Sequence, residues 1–175
     1  MIRPATASDA AAVAAVYAVY VLGSVATFEE VPPTADEVRG RLANGLPWLV
    51  AEEDGAVVGY AYAGPHHPRA GYRWSVTVSV YVDAEHHGRG LGKALYGELL
   101  PLLAELGYIR AFAGITLPND ASVGLHEALG FTPVGVYRST GFKHGQWRDV
   151  GWWQRALQVP PPGSPPEPRR WDLRA

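Results

Sequence analysis

The run His86-His87-Gly88-Arg89-Gly90-Leu91-Gly92-Lys93 most constrains this chain, because it joins a strand-like stretch to a helix-like one. From Ser75 to Val82, valines alternate with Ser75, Thr77, Ser79 and Tyr81, the period of a strand. Beyond Gly92, Leu95, Leu99, Leu102, Leu103 and Leu106 return at helical spacing. A glycine-rich turn from strand to helix lets backbone N–H groups approach an anion at the positive end of the helix dipole. Arg89 and Lys93 add positive charge, so the turn reads as a cradle for a pyrophosphate. An ordinary glycine-rich surface turn is the plainer alternative.

Spacing separates the nucleotide sites that use such a turn. A Walker A loop needs glycine where His87 stands and Ser or Thr where Ala94 stands. A Rossmann fingerprint needs glycine at position 93, which is Lys, and belongs after the first strand of a βαβ unit rather than in mid-chain. Both fail.

A chain of 175 residues suggests one domain, burying about two-thirds of its unfolded surface. The formal net charge of -2 gives no case for nucleic acid or an anionic membrane as partner. Without cysteine, disulfides, thiolate nucleophiles and Cys-ligated zinc are excluded. The pairs His66-His67 and His86-His87 lack ligand spacing, so no metal is expected. No Gly-x-Ser-x-Gly elbow supports a serine hydrolase. No apolar run reaches membrane-span length and the first residues lack a signal pattern, so the expected location is the cytoplasm.

Strands and helices alternate along the chain. Ile2 to Ala5 reads as a strand, and Ser8 or Asp9 caps a helix to about Val21, with Val13, Val16, Tyr17 and Tyr20 inward. Thr34 caps a second helix containing Val38 and Leu42. Trp48 to Glu52 and Val57 to Ala63 flank Asp54-Gly55, a hairpin signal. Strand 73–82 and helix 91–106 follow, then a strand from Ile109 to Thr116 and a helix from Ala121 to Leu129 ended by Gly130. Val134 to Arg138 and Val150 to Leu157 complete the set. The pattern predicts an α/β chain of the α+β kind, a central mixed sheet flanked by helices. Residues 1–158 form the expected domain, and 159–175 a Pro-rich tail, extended or mobile, that can drape the surface or serve as a ligand for another domain.

The stretch from His87 to Gly92 resembles the GNAT acetyltransferase pattern Gln/Arg-x-x-Gly-x-Gly/Ala, with His87 where Gln or Arg is usual. Tyr60-Ala61-Tyr62-Ala63-Gly64-Pro65, Ser79-Val80-Tyr81-Val82, Leu117-Pro118-Asn119-Asp120 and His126-Glu127-Ala128-Leu129-Gly130-Phe131 resemble the phosphinothricin N-acetyltransferase branch of that superfamily. So does Gly141-Phe142-Lys143-His144-Gly145-Gln146-Trp147-Arg148-Asp149-Val150-Gly151, the most branch-specific segment. The resemblance covers residues 1 to 157. It implies the acyl-CoA N-acyltransferase fold, a homodimer, and acetyl transfer from acetyl-CoA to the α-amino group of phosphinothricin, methionine sulfone or methionine sulfoximine. Other primary amines (a polyamine, an antibiotic, a peptide N-terminus) and a CoA-binding sensor without turnover are the alternatives.

The resemblance also implies roles. Val80, Tyr81 and Val82 would hold acetyl-CoA through their main chain, where the strand splays from its neighbour; as side chains they read as sheet core. His87, Gly88, Arg89, Gly90, Leu91, Gly92 and Lys93 would bind the pyrophosphate, and Asn119 the cofactor arm or simply a helix N-terminus. His126 would be the catalytic acid, giving or relaying a proton to the thiolate, against the reading of a structural histidine. Thr77 stands where the branch carries a catalytic Glu, and a hydroxyl is no general base at neutral pH. The base then lies elsewhere, or bulk water strips the amine, or the amine has a low pKa. Phe28, Glu29, Tyr72, Arg73, Val78 and Ser79 are the acceptor-side candidates, Arg73 as a carboxylate or phosphinate ligand and Val78 as an apolar replacement of a polar family residue. Glu29 and Glu30 read either as acceptor-side residues or as a solvated charge pair, and Lys143, His144 and Trp147 as candidates for the site or a dimer contact.

Overall fold

Positive backbone angles at Asp54 (φ 48°) and Gly55 (φ 79°) close the hairpin that the Asp-Gly pair signals, because this turn matches the right-handed twist of its strands. The computed structural model describes residues 1–172. In it, β1 (Ile2–Pro4), β2 (Trp48–Glu53), β3 (Ala56–Pro65), β4 (Ser75–Val82), β5 (Arg110–Leu117), β6 (Thr132–Lys143) and β7 (Gln146–Ala156) form one mixed sheet in the order β1-β2-β3-β4-β5-β7-β6. Only β4 and β5 run parallel; every other pair is antiparallel. The helices are α1 (Ala10–Gly23), α2 (Ala35–Leu42), α3 (Leu91–Glu105) and α4 (Asp120–Ala128).

The two faces of the sheet bury separate cores. On one, Leu95, Leu99, Leu100 and Leu103 of α3 pack on Ala61, Val76, Val78, Ala111 and Ile115. On the other, Val13, Tyr17, Val21, Val38 and Leu42 of α1 and α2 pack on Trp48, Val50 and Tyr60. Strand alternation follows from this division: Val76 and Val78 enter the α3 core, while Tyr81 joins the α1 side. Thr34 and Glu37 form a capping box that starts α2.

Two strands differ from the sequence expectation. The strand placed at Val134 to Arg138 runs from Thr132 to Lys143, and its partner begins at Gln146 rather than Val150. Register shifts at Pro133/Gly135 and Tyr137/Gly141 break the alternation that would have marked β6. His144 (φ 51°) and Gly145 (φ 74°) make the turn, a role the sequence did not signal because histidine is uncommon there. Residues 157–172 form no helix or strand, yet Trp74 Nε1 donates to Pro166 O, Arg169 N to Leu106 O, and Trp171 N to Gly45 O. Positions 173–175 of the expected tail lie outside the described residues.

The β6–β7 hairpin is fastened to the end of α1. Buried Lys143 donates from Nζ to Val21 O (2.7 Å) and Thr27 O (2.8 Å), satisfying an ammonium that burial makes less basic. Beside it, the ring of Phe28 occupies the space over Gly141: a Cβ there would lie 2.1 Å from Phe28 Cζ. Gly141→Ala is therefore expected to cost about 1–3 kcal/mol by overpacking. Gly40→Ala, in α2 with nothing near its Cβ position, should stabilise by about 0.5–1 kcal/mol. Urea unfolding of both variants checks the pair of signs.

Candidate active site

The parallel pairing of β4 and β5 lasts for three residue pairs, Ser75↔Arg110, Val76↔Ala111 and Thr77↔Phe112, and then the strands part. Each remains paired on its outer side, β4 with β3 and β5 with β7. Beyond Thr77 the inner edges therefore carry backbone groups that no ladder takes up, and a ligand can pair with them. The gap is a cleft of about 460 Å³, walled by Val78 to Val82 and Ala113 to Thr116. Tyr20 and Ala26 line it from the α1 face, and Tyr96, Ser122, Leu125 and His126 from the α3 face. The cleft thus runs through the sheet.

The glycine-rich turn closes one end. Gly88 (φ 76°) and Gly90 (φ 78°) hold left-handed conformations, and Gly90 is the N-cap of α3. The first-turn amides of α3 have no intrahelical acceptor, and Gly88, Gly90, Leu91, Gly92 and Lys93 line the cleft. A Cβ on Gly92 would come 3.2 Å from Leu125 Cδ2, so α3 and α4 approach closely there. His87 anchors this turn: its Nε2 lies 2.9 Å from both Val82 O and Tyr20 Oη, and the Tyr20 hydroxyl also donates to Val82 O. Arg89 is exposed and turned outward to Glu53 at 3.4 Å. It does not line the cleft.

His126 is buried on α4, with Nδ1 2.7 Å from Ser122 O and Nε2 3.2 Å from the hydroxyl of Tyr96. A proton on Nδ1 suits the carbonyl and leaves Nε2 to accept from Tyr96. Burial lowers the pKa of His126 and raises that of Tyr96, so both are neutral near pH 7. Asn119 caps α4 through Oδ1, which accepts from Ser122 N at 3.1 Å, and it also lines the cleft.

The acceptor-side candidates separate. Ser79 lines the cleft; Thr77 does not, and stands one residue before the lining begins, in the last parallel pair, with Oγ1 3.1 Å from His66 Nδ1. Val78 also borders the cleft, but its side chain is buried in the α3 core. Phe28 covers Gly141, and Glu29 is taken by Arg41 at 2.8 and 3.0 Å and by the Tyr17 hydroxyl. Tyr72 and Arg73 lie at the other end of β4, around a separate hollow. There Arg73 stacks on Trp74 at 3.9 Å and donates to Glu167 of the tail, so the expected anion ligand already holds a carboxylate.

Sequence reasoning missed Tyr20, Tyr96 and Ser122 as cleft residues, because in helices they carry the pattern of core or cap. Arg148 and Trp152, which do not line the cleft, also went without a role. These share one face of β7, since side chains two apart along a strand point the same way. Arg148 Nε and Trp152 Nε1 are buried without an acceptor among the described residues. The Trp152 ring lies 3.2 Å from the Cβ position of Gly114 in the cleft wall.

Comparison with known proteins places this geometry. Residues 14–131 match the model of the acetyltransferase (GNAT) family. A phosphinothricin N-acetyltransferase of Streptomyces viridochromogenes is 47% identical over 170 residues, covering 95% of this chain and 93% of its own. An L-methionine sulfoximine/L-methionine sulfone acetyltransferase of Salmonella typhimurium is 36% identical, covering 89% and 94%. A GNAT superfamily phosphinothricin acetyltransferase from Sinorhizobium meliloti, solved with AcCoA, superposes with a TM-score of 0.90 at 40% identity, covering 95% and 93%. If the turn at Gly88 and Gly90 binds the same molecule here, Gly90→Val should raise the acetyl-CoA Kd about tenfold, since a side chain at positive φ costs roughly 1–2 kcal/mol. Isothermal titration calorimetry measures it.

Proposed function

The chain belongs to the GNAT acetyltransferase family, and from that premise we propose that it moves the acetyl group of acetyl-CoA to the α-amino group of a small amino acid or analogue. The acceptors are of the phosphinothricin, methionine sulfone and methionine sulfoximine type. The observation that carries the reading is the open edge of β4 beyond Thr77, with a helix N-terminus and its glycine turn at the far end. Val80 and Tyr81 pair with the pantetheine arm through their backbone, and the α3 turn with Lys93 takes the pyrophosphate. When the amine nitrogen bonds to the acetyl carbon, the carbonyl oxygen becomes an oxyanion facing the unpaired β4 backbone. Collapse breaks the C–S bond, and the thiolate takes a proton from the imidazolium form of His126, which returns to the neutral tautomer with its proton on Nδ1 at Ser122 O and Nε2 accepting from Tyr96.

Two buried N–H groups without partners among the described residues, on Arg148 and on Trp152 behind the cleft wall at Gly114, support an anionic acceptor rather than a polyamine. The exposed side chains Val134, Val136, Tyr137, Phe142 and Trp147 on the outermost hairpin support a homodimer through that face. The reading includes the cytoplasm, where acetyl-CoA is at hand. A second reading, a CoA-binding sensor without turnover, rests on Thr77, which is no base by itself.

Thiol release from acetyl-CoA by purified protein tests these readings, with phosphinothricin, methionine sulfone, methionine sulfoximine and spermidine as acceptors. Release with the amino-acid analogues and not spermidine is expected, and His126→Ala should lower kcat by about 10²-fold or more. Acetyl-CoA binding without release on any acceptor favours the sensor. Arg148→Gln is expected to raise KM for the anionic acceptors by about tenfold with little change in kcat, as for a lost charged hydrogen bond.

A further inference from the structure

An amine nitrogen must shed a proton as it bonds to the thioester carbon, and the residue at which β4 and β5 part, just before the cleft lining begins at Val78, is Thr77. His66 lies against it. This residue follows directly on β3, where its backbone N–H donates to Ser75 O. Its ring stacks on Phe112, 4.0 Å between centroids, and meets Trp152 edge-on at 5.9 Å. Phe112 is the β5 partner of Thr77 in the last parallel pair, so the imidazole sits where the two strands begin to part. Its Nδ1 is 3.1 Å from Thr77 Oγ1. Thr77 shares its strand face with Ser79, which lines the cleft.

Resting on the acetyl-transfer reading above, we infer that His66 is the general base of this enzyme and receives the amine proton through the hydroxyl of Thr77. As the nitrogen lone pair forms the N–C bond, the N–H proton passes to Thr77 Oγ1 and the hydroxyl proton passes to His66 Nδ1. The N–H bonding pair stays on nitrogen, and the imidazolium later returns its proton to water. A weakly acidic hydroxyl becomes a useful proton carrier when an imidazole stands behind it. Nε2 of His66 has no partner among the described residues, so it can keep its proton while Nδ1 accepts.

The surroundings suit a base. Burial, with the neighbouring His67, lowers the pKa of His66 and keeps it neutral near pH 7. Its titratable neighbours are His67 on the same turn and Tyr72, whose ring is 6.3 Å away. The strands β4, β5 and β7 present the uncharged Thr77, Phe112 and Trp152. His66 is independent of His126, which lines the cleft from the opposite face.

The test is the pH dependence of kcat for wild type, His66→Gln, Thr77→Val, Thr77→Ser and His66→Ala/Thr77→Glu, with the best acceptor amine. In the wild type, activity falls with decreasing pH as His66 takes a proton, through a pKa below the ordinary histidine range. His66→Gln and Thr77→Val should each lose about 10²-fold in kcat at pH 7, and their low-pH limb should move upward towards the pKa of the amine. Thr77→Ser keeps the hydroxyl and should keep the limb, while Glu at position 77 should recover most of the rate lost in His66→Ala. Circular dichroism and acetyl-CoA binding separate these effects from misfolding. An unmoved limb in His66→Gln overturns the base, and wild-type behaviour in Thr77→Val overturns the path through the hydroxyl. A wild type that turns over a different class of amine overturns only the acceptor reading; one with no turnover on any amine overturns both.

Discussion

The site depends on β4 and β5 pairing for only three residues before they diverge. Each strand is held on its outer side by a long antiparallel ladder, so the opening is built into the sheet and does not collapse. Packing on both faces keeps it that way. The α3 leucines bury Val76 and Val78 on one side, and α1 with its tyrosines buries Tyr81 on the other. What remains is a slot through the sheet with free backbone groups on its inner edges and a helix N-terminus at one end. In the proposed reaction a long thioester enters from the α3 side and a small amine meets it from the α1 side.

His126 lines that slot and His66 stands behind Thr77 where the strands part, on the opposite face, and their hydrogen bonds suit different tasks. His126 has a carbonyl at Nδ1 and a hydroxyl at Nε2 on the α3 side. The His66 ring has only the hydroxyl of Thr77 among the described residues, on the α1 side. Acetyl transfer needs one proton removed from the nitrogen and one delivered to the sulfur, and separate groups on separate faces avoid competition for a single imidazole. Burial depresses both pKa values, which in the proposed reaction favours the neutral form a base needs at His66 and makes the protonated form of His126 a stronger acid.

Several residues with chemical potential are committed to holding the frame. Lys143 ties the last hairpin to the end of α1, Glu29 joins Arg41 to Tyr17, and Arg73 holds Glu167 of the tail. His87, the departure from the family turn pattern, fastens the turn to Val82 and Tyr20. Such contacts join residues far apart in the chain. No spacing rule exposes them, and residue type alone assigns each of these groups equally well to a ligand.

The local chemistry was legible in advance wherever it depends on neighbours in sequence. The valine alternation from Ser75 to Val82, the leucine spacing after Gly92, the Asp54-Gly55 turn and the glycine-rich turn between strand and helix all follow from backbone sterics and from side-chain period. The motif at His87 to Gly92 and the segment around His126 likewise pointed to the cleft, because each places its residues within one turn or one helix. Tertiary structure alone decided where β4 leaves β5, which face Thr77 and Val78 each present to it, and that His66 stands behind Thr77 eleven residues away. Those outcomes depend on strand register and on the packing of two helical layers, which are set by the whole sheet rather than by any local run of residues.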